Sequence, residues 1–182
     1  IEIGKKLQTK NLIYTSSFSV YGQQKSPIKE NSKKSPQNFY GMSKMFAEEQ
    51  IILFSKRFNL NYIILRFDGI FGYKQNLPGF SKMCYEKFVN NEDIELFNSG
   101  MQIRDHVYVD DAVDSIVLSI KKLKKIKQGI FNIGGGQPIS NYARAMLIKK
   151  NLQSKSKLIK IKRSNPSISN IFLDLKRSKK IL

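Results

Sequence analysis

Asn11-Leu12-Ile13-Tyr14-Thr15 and Asn61-Tyr62-Ile63-Ile64-Leu65-Arg66-Phe67 are the two runs on which the fold turns. Both are short, mostly apolar and partly β-branched, the pattern of strands buried on both faces of a parallel sheet. The first ends in small hydroxyl residues, so its C-terminal end opens onto a polar site. Between the runs, residues 22–38 contain Gly22, Pro27, Pro36 and many polar side chains, and read as a long loop. Phe39 to Phe58 follows a helical pattern, with Phe46, Ile51 (or Gln50), Phe54 and Phe58 near one stripe. Strand, loop, helix, strand is the unit of a parallel α/β sheet with right-handed crossovers.

Further along, Gly69, Gly72, Pro78 and Gly79 punctuate a loop. A helix is expected over Phe80–Val89, and strands over Ile94–Phe97 and Ile103–Val109. Asp110 and Asp111 sit just before a helix running to about Leu123, where carboxylates cap exposed N–H groups and complement the dipole. Gly129–Ile133 reads as a strand. Gly134–Gly136 after it is a turn, because no G-x-G-x-x-G continuation follows. Residues 140–150 read as helix, Leu158–Ile161 as strand and Lys176–Leu182 as the start of a helix.

Composition narrows the function classes. A chain of 182 residues with 41% hydrophobic and 25% charged residues can pack a core, as one domain or one domain plus a lobe. Its apolar runs fall far short of the ~20 residues that span a bilayer, and residues 1–10 lack a signal-peptide pattern. Cys84 is the single cysteine, so there is no internal disulfide framework. It reads as a small packing residue, and a cytoplasmic location is expected. The net charge of +18 is spread over lysines that become dense only in 121–127, 149–162 and 177–180. Without an arginine-rich arm, zinc-ligand spacing or an aromatic RNA-binding signature, these read as solvated helix faces. A nucleic-acid surface is the less favoured reading, and no metal ligands are expected.

The chemistry centres on Tyr40-Gly41-Met42-Ser43-Lys44 at the start of the expected helix. Residues four apart share a helix face, so the phenol and the ammonium can point into one space. Tyrosine ionises near pH ~10, and a neighbouring cation favours the phenolate that a general base requires. Upstream, Tyr14-Thr15-Ser16-Ser17-Phe18-Ser19-Val20-Tyr21-Gly22 puts hydroxyls at a strand's C-terminal end, where open α/β sheets bind ligands.

These two segments together resemble the extended short-chain dehydrogenase/reductase family, in particular its NAD-dependent nucleotide-sugar epimerases and dehydratases of the UDP-galactose 4-epimerase-like kind. The resemblance implies a doubly wound Rossmann sheet, of which this chain holds the C-terminal half, with a smaller α/β substrate-binding lobe. It implies that Ser17 hydrogen-bonds a sugar hydroxyl, that Tyr40 takes its proton, and that Lys44 holds the nicotinamide ribose and lowers the tyrosine pKa. Thr15, Ser16 and Phe67 would also border the cofactor, NAD (or NADP). Leu65-Arg66-Phe67-Asp68-Gly69-Ile70-Phe71-Gly72 looks like the family's strand and turn beside the nicotinamide, departing at Gly69, where many members carry a substrate-contacting asparagine. Asn76 and Leu77 fall at the substrate loop. Gly100 to Asp111 is close to the family's Arg-Asp-aromatic-x-x-Val-x-Asp block, with His106 at the aromatic position and Arg104 as the diphosphate ligand. Phe131-Asn132-Ile133-Gly134 matches the late sheet strand. Arg163, followed by Asn165-Pro166 and Asp174, resembles the block whose arginine reaches the nucleotide.

The family's glycine-rich dinucleotide turn has no counterpart before Ser17, and residues 1–10 read as the tail of a preceding helix. The expectation is therefore an N-terminally truncated member that alone binds NAD weakly or not at all. Residues 1–75 would end the NAD-binding domain, and 76–182 would form mainly the substrate lobe, with 103–135 returning to the sheet. The implied reaction is transient oxidation at C4 of a nucleoside-diphosphate sugar through a 4-keto intermediate. Phe18 and Ser19 stand where dehydratases carry Asp-Glu, and no cysteine stands nearby as in epimerase/reductases, leaving a 4-epimerase or a simple sugar reductase. A silent truncated sugar-nucleotide binder and a basic nucleic-acid module are the other classes. Members of the family often dimerise through the helix that carries the tyrosine.

Overall fold

The structure, a computed structural model, describes residues 10–162 and 170–182. In chain order its strands are β1 (Asn11–Ser17), β2 (Asn61–Phe67), β3 (Ile70–Phe71), β4 (Ile94–Phe97), β5 (Ile103–Arg104), β6 (Val107–Tyr108), β7 (Gln128–Ile133), β8 (Ile139–Ser140) and β9 (Leu158–Ile161). Its helices are α1 (Phe39–Phe58), α2 (Phe80–Val89), α3 (Val109–Ile126), α4 (Asn141–Leu152) and α5 (Lys176–Ile181). The main sheet is parallel, in the order β1-β2-β7, with Ser17 level with Phe67 and Phe67 level with Ile133.

The central place of β2 follows from its sequence. Ile63, Leu65 and Phe67 pack with Val107, Ala112, Leu123, Phe131 and Ile133 on the α3 side, while Tyr62 and Ile64 pack with Ile51 of α1 on the other. With each fully buried Leu or Ile worth roughly 1.5–3 kcal/mol, no other placement uses this run as well. A separate cluster of Cys84, Phe88, Ile94, Leu96 and Ala145 joins α2, α4 and the parallel pair β4–β9. Beyond the end of β1, Val20, Tyr21 and Ile28 pack on Ile171, Leu173 and Leu175.

Three local readings change. The stripe expected on α1 is split: Ile51 is buried and Phe54 half-buried, but Phe46 is 57% exposed and Phe58 is exposed, while Gly41, Glu48 and Ser55 are buried. The inner face of α1 meets Arg66 of β2, so an ion-pairing glutamate occupies it beside Ile51. Ile103–Val109 is not one strand but two short ones separated by Asp105 and His106. Asp105 turns inward there to accept the N–H groups of Gly136 and Gln137, at 2.9 and 2.8 Å. Asp110 and Asp111 lie inside the first turn of α3, after an N-cap at Tyr108 that has no side-chain bond. They therefore act on the helix dipole rather than as caps.

Among the described residues β1 pairs with β2 alone. A cleft of about 660 Å³ between one face of β1 and α3 is lined by Ile13, Thr15, Ile116, Ile120, Lys121 and Lys124. No described helix is long and apolar enough to cross a membrane, and the described residues contain no group of three metal-ligating side chains.

Candidate active site

Ser17 is the last residue of β1 and caps the single 3-10 turn that follows it. Its Oγ accepts the Ser19 N–H at 3.2 Å and donates to Ser19 Oγ at 3.2 Å. The helix opposite is started by Asn38, whose side chain accepts the Gly41 N–H at 2.7 Å. A Cβ at Gly41 would lie 2.5 Å from the Ser19 carbonyl oxygen. Only glycine lets the first turn of α1 press this closely on the residue two beyond Ser17.

Tyr40 and Lys44 ride on that turn. Tyr40 is 56% exposed. The Lys44 ammonium donates to the Thr15 carbonyl at 2.9 Å and sits 5.7 Å from the centre of the Tyr40 ring and 5.0 Å from that of Tyr14. The structure thus brings Thr15, Ser17, Tyr40 and Lys44 together at the C-terminal end of β1. At that distance the ammonium is within cation–π range of the Tyr40 ring.

Two residues expected at the cofactor do other work with their side chains. Ser16 is buried and donates its hydroxyl to Glu48 Oε1 at 2.6 Å. Phe67 is buried in the core under α3. By the alternation of the strands the two side chains lie on opposite faces of the sheet, Ser16 towards α1 and Phe67 towards α3.

The expected substrate residues form a second group. Asn76 and Leu77 are exposed on the loop before α2; the Asn76 carbonyl accepts from Lys82 Nζ at 3.2 Å and the Leu77 carbonyl from Gln75 Nε2 at 3.0 Å. Arg104 is half-buried on β5 and donates to the Ile103 carbonyl at 2.9 Å. Burial lowers its pKa, against the pull of Asp68. Arg163 lies outside the described residues, as do Asn165, Pro166 and residues 1–9.

At position 69 the space for a side chain is taken. A Cβ there would sit 2.7 Å from His106 Cδ2 and 2.9 Å from its Nε2, so the imidazole fills the volume into which another residue would project. Burial, then Arg144 and Arg104, pull His106 down to about 4, which keeps the ring neutral at neutral pH. Next to it Asp68 is 3% exposed; Oδ1 accepts the Gly69 N–H at 2.6 Å, and Oδ2 has no partner among the described residues. Burial pushes this carboxyl up to about 6, opposed by the Gly69 N–H and Arg104.

Because the folded protein holds the Asp68 proton more tightly than the unfolded chain does, the cost of ionising it is absent at about pH 3, grows between about pH 4 and about pH 6, and is present in full above that. Asp68→Asn is therefore expected to raise the melting temperature at about pH 7.5 and to leave it nearly unchanged at about pH 3. A variant that melts lower than wild type at the higher pH shows instead that attraction to Arg104 outweighs burial.

Sequence reading passed over Glu48 and Arg66, which the structure places directly behind the site. The spacing 40, 44, 48 on one helix face was the available signal.

A parallel sheet, a serine at a strand end and a Tyr-x-x-x-Lys turn pressed against it define a short-chain dehydrogenase/reductase protein of the extended, Rossmann type. Residues 1–134 match the model of the NAD dependent epimerase/dehydratase family, and the chain belongs to that family. It is 28% identical over its whole length to a putative UDP-glucose 4-epimerase of Methanocaldococcus jannaschii, covering 60% of that protein. It is 26% identical to a UDP-glucuronate 4-epimerase of Thermodesulfobacterium geofontis, covering 56% of it. The chain thus spans little more than half the length of these relatives. Among solved structures, the UDP-glucuronic acid 4-epimerase of Bacillus cereus, in complex with UDP-glucuronic acid and NAD, superposes with a TM-score of 0.88 at 23% identity, over all of this chain and 58% of that one. At that identity the likeness speaks for the fold.

Proposed function

We propose that the complete protein is an NAD-dependent nucleotide-sugar 4-epimerase, to which this chain contributes the catalytic Ser17–Tyr40–Lys44 set and the substrate lobe. The observation that carries the reading is the Lys44 ammonium held between the Thr15 carbonyl and the Tyr40 ring, at the strand end that bears Ser17. Ser17 Oγ orients the sugar hydroxyl and Tyr40 Oη takes its proton, the Lys44 ammonium favouring the phenolate form that accepts it. NAD supplies the hydride acceptor when bound. Tyr40, Lys44 and the backbone of Thr15, Ser16 and Phe67 would border its nicotinamide end, while the chain has no glycine-rich turn to seat the pyrophosphate.

Further strands would pair with the open edge of β1 and extend the sheet. In that arrangement residues 1–75 end the dinucleotide-binding domain, 76–182 form mainly the substrate lobe, and 103–135 return to the sheet. Asn76, Leu77, Arg104 and Arg163 are assigned to the sugar nucleotide, Arg104 to its diphosphate. The exposed face of α1 with Phe39, Phe46 and Leu53 suits a homodimer contact. Phe18 and Ser19 leave no carboxylic acid beside Ser17 to drive loss of water, which separates this site from a dehydratase. A cytoplasmic location fits such an enzyme.

The test is to express the complete gene product and assay UDP-, GDP- and dTDP-sugars by product analysis. The expected outcome is interconversion of two C4 epimers of one sugar without net consumption of NAD. Stoichiometric oxidation of NADH would make the protein a reductase, and steeply salt-dependent nucleic-acid binding without turnover would make it a binding module.

A further inference from the structure

Behind the active site lies a buried polar network that the proposed chemistry does not use. Glu48 is one helical turn beyond Lys44 and two beyond Tyr40, on the same face of α1, and is 0% exposed. Its Oε1 accepts the Ser16 hydroxyl at 2.6 Å and Arg66 Nε at 2.9 Å, and its Oε2 accepts Arg66 Nη2 at 2.6 Å. Arg66 Nη1 donates to the Tyr21 hydroxyl at 2.7 Å and to the Glu30 carbonyl at 2.9 Å. Tyr21 donates in turn to Asn132 Oδ1 at 2.6 Å, and Asn132 Nδ2 donates to the Ile28 carbonyl at 2.9 Å. Arg66, Tyr21 and Asn132 are as deeply buried as Glu48.

We propose that Glu48 and Arg66 are positioning residues, whose bidentate pair sets the Ser17 strand end and the Tyr40–Lys44 helix in register for proton transfer. The inference rests on the active-site reading above. Ser17 is bracketed by the network: Ser16 immediately before it is tied to the carboxylate, and Tyr21 four residues after it to the guanidinium. The same carboxylate stands on the helix that carries Tyr40 and Lys44. One ion pair therefore links both sides of the site to β2, and through Asn132 to β7.

Stability is a poor reason for such a pair. Apolar side chains of similar volume commonly replace a buried ion pair at no loss. What they cannot supply is direction, because two parallel N–H···O bonds admit a narrow range of orientations. Burial pulls the Arg66 pKa down, but the Glu48 bonds and Tyr21 outweigh it and the net shift is upward, so the fork stays charged. Tyr21 is pushed up to about 12 by burial and remains a donor to Asn132.

The experiment compares Glu48→Gln, Arg66→Lys, Tyr21→Phe and the double variant Glu48→Met/Arg66→Met with wild type in the complete enzyme, reading kcat, KM and melting temperature. A misplacement of about 1 Å costs about 100-fold in rate, so kcat is expected to fall by about that factor in the Glu48 and Arg66 variants. KM should stay within about 3-fold, since apart from Ser17 the proposed sugar-nucleotide contacts lie elsewhere. The double variant should recover the wild-type melting temperature while its kcat stays low. If kcat recovers along with stability, the pair is structural and the proposal is overturned. Should the double variant fail to fold, Tyr21→Phe decides: it removes one hydroxyl, and an unchanged kcat overturns the proposal as well. Tyr40→Phe run alongside separates the two ideas. If it is inactive while the network variants are normal, positioning alone fails; if it is fully active, or if wild type is inert on every sugar nucleotide, both fall.

Discussion

Tyr40→Phe is expected to lower kcat for C4 epimerisation by about 10²–10⁴-fold, the range a positioned general base contributes. The substitution removes one oxygen from a ring that is 56% exposed, so folding and melting temperature should be unaffected. The aromatic face that Lys44 approaches at 5.7 Å is retained, so the ammonium keeps its seat on the Thr15 carbonyl. A loss seen in kcat and kcat/KM alike, with KM unchanged, is the signature of a group acting only in the transition state. The measurement is initial-rate kinetics on the complete enzyme with its preferred sugar nucleotide. Full activity in this variant would remove the phenol from the mechanism and leave Ser17 and Lys44 to be reassigned.

Glu48→Ala carries the largest expected effect on stability. It strands the Arg66 guanidinium, 1% exposed, without its carboxylate, and deprives Ser16 of its acceptor. Removing one partner of a buried pair typically costs about 3–5 kcal/mol. At about 2–4 °C per kcal/mol for a chain of this size, the melting temperature should drop by roughly 10 °C. The exposed pair Lys82–Glu86, 3.7 Å apart on one helix face, is the control. Glu86→Ala should cost no more than about 1 kcal/mol, because water solvates both charges once the pair is broken. Equal losses at the two positions would mean that the Arg66 charge finds water or another acceptor when Glu48 is gone.

Much of the frame was legible without coordinates. The apolar runs at 11–15 and 61–67 and the helix between them lie within two residues of where they were expected. The reason is local: burial on both faces demands continuous apolar sequence, and helix α1 begins at an asparagine cap. That Tyr40 and Lys44 share one face of α1 was legible from their spacing, whereas grouping them with Ser17 rested on the family resemblance.

Other features depended on partners distant in sequence. Hydrophobic periodicity put Phe46, Ile51, Phe54 and Phe58 near one stripe of α1; the structure buries Ile51 but leaves Phe46 and Phe58 exposed, and the inner face also carries Glu48, paired with Arg66, 18 residues away. Ser16 looked like a free hydroxyl until Glu48 arrived beside it. The volume at Gly69 could not be known to be filled until β5 and β6 brought His106 over it. By itself the sequence determined the strands, the helix and the residue types at the strand end, because these follow from local pattern. Tertiary structure decided which face of α1 is buried and which hydroxyls remain available, because each depends on pairing groups that only folding brings within 3 Å of one another.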